Sequence, residues 1–103
     1  MLKILTPAEV VLQCVEKNEF CRVFILRVNE ELSKVERPTD GYYTFVVVTD
    51  EEIVSEDRAL IQKAFNIFGW DISISSKWAE DEDGTQIVEN KVLLTKKIPS
   101  GGK

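Results

Sequence analysis

Glu80, Asp81, Glu82 and Asp83 stand in succession before Gly84, the densest run of hard oxygen ligands in the chain and the first place to look for bound calcium. With Gly84 at the sixth position of a calcium loop, Asp81 and Asp83 fall correctly. Ala79 then occupies the place of the first ligand, and Asn90 the place of the bidentate glutamate. The pattern fails where it matters most, so the run reads as a solvated hairpin tip that keeps the strand ends soluble. A second acidic group, Asp50, Glu51 and Glu52, directly follows an apolar run. From there Asp50 and Glu52 would suit a magnesium-dependent enzyme or enzyme subunit. The competing reading is a helix start, where negative charge meets the positive end of the helix dipole.

Nucleophilic chemistry needs a base, and the chain has no histidine to activate Ser55, Ser73, Ser75, Cys14 or Cys21. Two cysteines cannot complete a structural zinc site or a disulfide framework. Both read as small buried hydrophobes, Cys14 on the core side of a helix and Cys21 in an apolar strand. The glycines at 41, 69, 84, 101 and 102 form no phosphate-binding loop. Metal, cofactor and catalytic apparatus are therefore not expected.

Charge narrows the partners. Eighteen Asp and Glu against 13 Lys and Arg give a formal net charge of −5, which disfavours nonspecific attraction to phosphate backbones. Arg22, Arg27, Lys34 and Arg37, with Tyr42 and Tyr43 nearby, outline a small nucleic-acid face as an alternative, against a plainer reading as surface charge. No stretch reaches the ~20 apolar residues that span a bilayer, and the start, Met1 to Pro7, is too short for a signal-peptide core, so a cytoplasmic chain without membrane contact is expected.

The elements that must position these residues can be read from spacing. At 103 residues with 44% apolar and 30% charged composition, one domain over 1–98 with a flexible tail at 99–103 is expected. Thr6, Pro7 and Glu9 make a capping box and Leu5 with Val10 a hydrophobic staple, starting a helix that runs to about Asn18. Phe20 to Val28 is rich in β-branched and aromatic residues and reads as a strand. Asn29 to Asp40 is charged, contains Pro38 and reads as a long connection. Tyr42 to Thr49 reads as a core strand buried on both faces. Thr49 with Glu52, or Ser55, would cap a second helix with Leu60, Ile61, Ala64, Phe65 and Phe68 on one side and Gly69 just past its end.

The hairpin from Trp70 to Ile98 permits a register argument. A two-residue turn of Asp83 and Gly84 would set Trp78 against Glu89 and Ile74 against Leu93. A three-residue turn, Glu82 to Gly84, pairs Trp78 with Val88, Ile74 with Val92, Ile72 with Leu94 and Lys77 with Glu89. The second register matches apolar with apolar and charge with opposite charge, and places Gly84 at the left-handed turn position. It leaves Trp70, Ile72, Ile74, Trp78, Val88, Val92 and Leu94 on one face. Trp70 beside the helix is the core residue of the two tryptophans. Trp78, near the polar tip, is the binding anchor.

The expected fold is α+β, a single antiparallel sheet of about four strands with two helices on one face, in the order α-β-β-α-β-β. If Leu2 to Leu5 pairs as a strand, the alternative is a ferredoxin-like order with an added final strand. The expected function is a noncatalytic protein-interaction module. It would be a small acidic regulator, adaptor or inhibitor of the kind that phages and mobile elements encode, binding a protein partner of unknown identity through Trp78, Glu80, Asp81, Glu82 and Asp83. A homodimer paired through an edge strand at Val88 to Leu94 is a further expectation.

Overall fold

The computed structural model describes residues 2–36 and 42–96. Three helices, α1 (Pro7–Lys17), α2 (Glu19–Ser33) and α3 (Ser55–Ile67), accompany three strands, β1 (Tyr42–Thr49), β2 (Trp70–Glu80) and β3 (Gln86–Lys96). The element order is α-α-β-α-β-β, and the strands form one antiparallel sheet ordered β1-β3-β2. The fold is thus α+β with a single antiparallel sheet, as expected, but one strand shorter among the described residues.

The missing strand is the segment Phe20 to Val28, which is helical. Asn18 caps it, its side-chain oxygen accepting from the Cys21 amide at 3.0 Å. Cys21, Phe24 and Val28 then recur at helical spacing and are buried, with Ile25 and Leu32 packed alongside. A strand would have buried Leu26 together with Phe24 and Val28, yet Leu26 is 52% exposed. Strand preference of β-branched residues amounts to tenths of a kcal/mol, whereas each large apolar side chain buried is worth about 1.5–3 kcal/mol. The residues after Val28, expected as part of a connection, carry α2 on to Ser33. The rest of that connection, with Arg37 and Pro38, lies largely outside the described residues, as does the tail.

The capping box at α1 is present. The Thr6 hydroxyl accepts from the Glu9 amide at 3.1 Å, and Glu9 accepts from the Thr6 amide at 2.8 Å. That hydrogen bond, with Lys3 beside it, holds the Glu9 carboxyl below its usual range. Only Val15 of α1 is buried, and Cys14, expected on the core side, is exposed because it sits a quarter-turn away from the Val11 and Val15 stripe. Leu2 to Leu5 forms no strand, so the ferredoxin-like alternative lacks its first strand. At α3 neither expected cap is used: Val54 occupies the cap position without a side-chain bond, while the Thr49 hydroxyl donates to the Glu51 carbonyl at 2.8 Å. Ile61, Ala64 and Phe65 are buried as expected, but Phe68 is exposed.

The hairpin register is the one expected from pairing. Trp78 stands opposite Val88, Ile74 opposite Val92, Ile72 opposite Leu94 and Lys77 opposite Glu89. Gly84 has φ +82°, the left-handed conformation that costs least without a Cβ. Because β3 also pairs with β1 along its length, Val88 to Leu94 lies in the central strand. It offers no edge, and a dimer cannot form there. β1 is instead an edge strand, covered on one face only: Val47 is buried, whereas Val46 and Val48 are exposed. The helices lie over the face bearing Val47, Ile72, Ile74, Val92 and Leu94, which with Cys21, Phe24, Val28, Ile53, Ile61 and Phe65 forms the core. The opposite face, with Val46, Val48, Ser73, Ser75, Lys91 and Leu93, is open to solvent.

Candidate functional site

The acidic tip is built by its own backbone needs. The Asp81 amide donates to the Thr85 carbonyl and the Gly84 amide to the Asp81 carbonyl, each at 3.0 Å. The Asp81 carboxylate accepts from the amides of Asp83 and Thr85, both at 2.9 Å. This carboxylate thus satisfies turn donors that would otherwise turn to water. Glu80 accepts from the Gln86 side chain across the strands at 3.3 Å. Glu82 and Asp83 are left projecting at the exposed tip.

The two tryptophans divide as their positions suggest. Trp70 packs on the core, edge-on to Tyr43 with ring centres 5.9 Å apart. Trp78 points to the same sheet face but lies beyond the cover of the helices and is 50% exposed. Its indole N–H donates to the Glu52 carboxylate at 2.5 Å. Trp78 lines a shallow depression together with Glu52, Arg58, Ser76, Lys77 and Val88. The fold therefore brings the second acidic group, in the β1–α3 connection, against the hairpin. Sequence spacing carried no sign of that contact, since the two residues are 26 positions apart.

Of the residues expected to suit magnesium, Asp50 and Glu52 both lie in the connection between β1 and α3. Glu52 is engaged by Trp78, and among the described residues no group of three or more Cys, Asp or Glu side chains is arranged to hold a metal ion. Of the basic residues near the chain start, Arg22 and Arg27 lie on α2 and Lys34 caps its end, rather than on a strand. Arg27 donates to the Val48 carbonyl at 2.9 Å and Tyr43 is turned toward Trp70, while Arg37 lies outside the described residues. Of the cysteines, Cys21 is fully buried; burial, the nearby Asp57 charge and a hydrogen bond to Asp57 push its thiol up to about 12. Such a thiol is no nucleophile at neutral pH.

One polar residue near this surface drew notice in the sequence only as a mismatch to a calcium loop. Asn90 is completely buried at the centre of β3. Its amide donates to the Val47 carbonyl at 2.8 Å and to the Thr49 hydroxyl at 3.0 Å, and its oxygen accepts from Ser76 at 2.6 Å. The signal was present in the register, which puts Asn90 on the same face as Val88 and Val92. Every buried side-chain N and O among the described residues is paired, so this network supports the surface above it rather than waiting for a ligand.

Comparison with known protein families, with characterised proteins and with solved structures yields no match for this chain. No helix among the described residues is long and apolar enough to cross a membrane.

Proposed function

We propose that the protein is a noncatalytic interaction module, a small acidic regulator, adaptor or inhibitor that binds a protein partner through Trp78 and the acidic hairpin. The observation that supports this reading is the position of Trp78. A large aromatic ring stands half in solvent, oriented by the Glu52 carboxylate and flanked by Glu80 to Asp83, while its neighbour Trp70 is packed away. Rigid aromatic side chains are among the commonest energetic anchors of protein interfaces, because they bury much area at little entropic cost, with charged residues such as these forming the surrounding rim. The acidic surround favours a basic partner and speeds its encounter.

The test uses the intact chain as bait, with Trp78→Ala and charge reversal at Glu82 and Asp83 as variants. Loss of a purified partner on both variants, with unchanged melting temperature, supports the hairpin as the site. Retention of every partner by both variants removes it.

A further inference from the structure

A second surface lies along the free edge of β1. In the hairpin the Asp81 amide bonds Thr85, so odd-numbered residues of β2 face β3, and by alternation odd-numbered residues of β1 face β3 from the other side. The even-numbered residues Tyr42, Thr44, Val46 and Val48 turn their N–H and C=O groups outward. Among the described residues, only the Val48 carbonyl of these groups is bonded from outside the sheet, by Arg27. Among the described residues, nothing bonds the outward amides of Thr44 and Val46. This edge carries no charge, no proline and no bulge, the devices by which exposed strands normally avoid pairing.

Beside the edge runs a groove whose other wall is α2. Val23, Leu26, Val46 and Val48, all more than a third exposed, line its middle. Its ends carry carboxylates: Glu30 with Glu31, the latter paired with Lys34 at 3.4 Å, at one, and Glu19 with Asp50, Glu51 and Glu52 at the other. Among the described residues that line the groove, Arg27 is the one cation, and it is committed to the Val48 carbonyl. Backbone groups in need of partners, an apolar centre and carboxylates at both ends define the complement: an extended segment, apolar in its middle and basic at both ends.

We infer that β1 accepts such a basic polypeptide segment as an added fourth strand, lodged between the β1 edge and α2. Main-chain hydrogen bonds supply the register, Val23 and Leu26 receive alternate apolar side chains, and the carboxylates hold the basic ends. A second copy of the chain is the poorer occupant, since the net charge is −5 and the groove ends would bring like charges together.

The probe is a fluorescein-labelled peptide, Lys-Arg-Thr-Val-Thr-Ile-Thr-Arg-Lys, with a control in which Glu replaces each basic residue. Anisotropy should report binding of the basic peptide alone, weakening as salt is raised. Val46→Pro removes an outward amide and no ladder bond, so it should weaken binding by about tenfold or more while the sheet persists by circular dichroism. Should that variant not fold, Glu30→Lys with Glu31→Lys, on the helix surface, should give a loss of the same order. Equal binding by these variants and the parent overturns the inference. If binding instead vanishes only on Trp78→Ala or hairpin charge reversal, the peptide docks at the hairpin; strand addition fails and the hairpin reading stands. A dimer in light scattering that Val46→Pro dissolves also overturns it, because the edge is then occupied by a second copy.

Discussion

The side-chain amide of Asn90 donates to the main-chain carbonyl of Val47 at 2.8 Å, with Asn90 wholly removed from solvent. Through this bond and those to Thr49 and Ser76, one side chain on the central strand ties both outer strands together. Asn90→Ala leaves a void and removes the side-chain bonds to Val47, Thr49 and Ser76, and should cost about 2–4 kcal/mol in urea unfolding. Asn90→Asp keeps the shape but cannot donate to Val47 when ionised. Burial raises the folded-state pKa of the new carboxyl, so this variant should gain stability relative to the parent as pH falls through that pKa.

The tryptophans should separate cleanly. Trp70→Ala removes a ring packed on the core and on Tyr43, with an expected loss of about 3 kcal/mol. Trp78→Phe keeps an aromatic ring at a half-exposed position and gives up one exposed hydrogen bond, so about 1 kcal/mol or less is expected. Acrylamide should quench the emission of a Trp70→Phe protein, which retains Trp78, more strongly than that of a Trp78→Phe protein.

Thiol reactivity should follow exposure. In the folded protein Cys14 is exposed and should react with iodoacetamide, while Cys21 should react only on unfolding, as mass spectrometry of the labelled peptides can show. Because the Cys21 thiol is pushed up to about 12 from 9.0, the unfolded chain loses its proton first. The contribution of this residue to stability is therefore fully present below about pH 9 and declines as pH rises toward 12. Cys21→Ala should lose stability at neutral pH but show a shallower alkaline decline.

Gly69 and Gly84 hold φ of +95° and +82°, and a Cβ at either would meet nothing within 4 Å. The cost of Gly84→Ala or Gly69→Ala is then set by the backbone alone, about 1–2 kcal/mol. Gly84→Asn should cost less, because asparagine tolerates the left-handed region better. Thermal unfolding of the variants measures the order.

The hairpin was legible to the level of individual residue pairs because its information is local: a turn needing a left-handed glycine, and alternation that tolerates only one alignment of Trp78, Ile74 and Ile72 with Val88, Val92 and Leu94. The capping box at Thr6 and Glu9 and the core side of α3 were legible for the same reason. Segment 20–28 was not. Its apolar residues satisfy a period of two as well as one of 3.6, and only packing of Cys21, Phe24 and Val28 against the other helices and the sheet chose between them.

From sequence alone came the α+β class, the acidic hairpin with its three-residue turn, and Trp78 set apart from Trp70. Tertiary structure decided what distance in the chain conceals. It made β3 the central strand and β1 an edge, joined Trp78 to Glu52, and buried Asn90 among three strands. Strand order and side-chain networks depend on which surfaces become buried together, and that is a property of the assembled core rather than of any short stretch of residues.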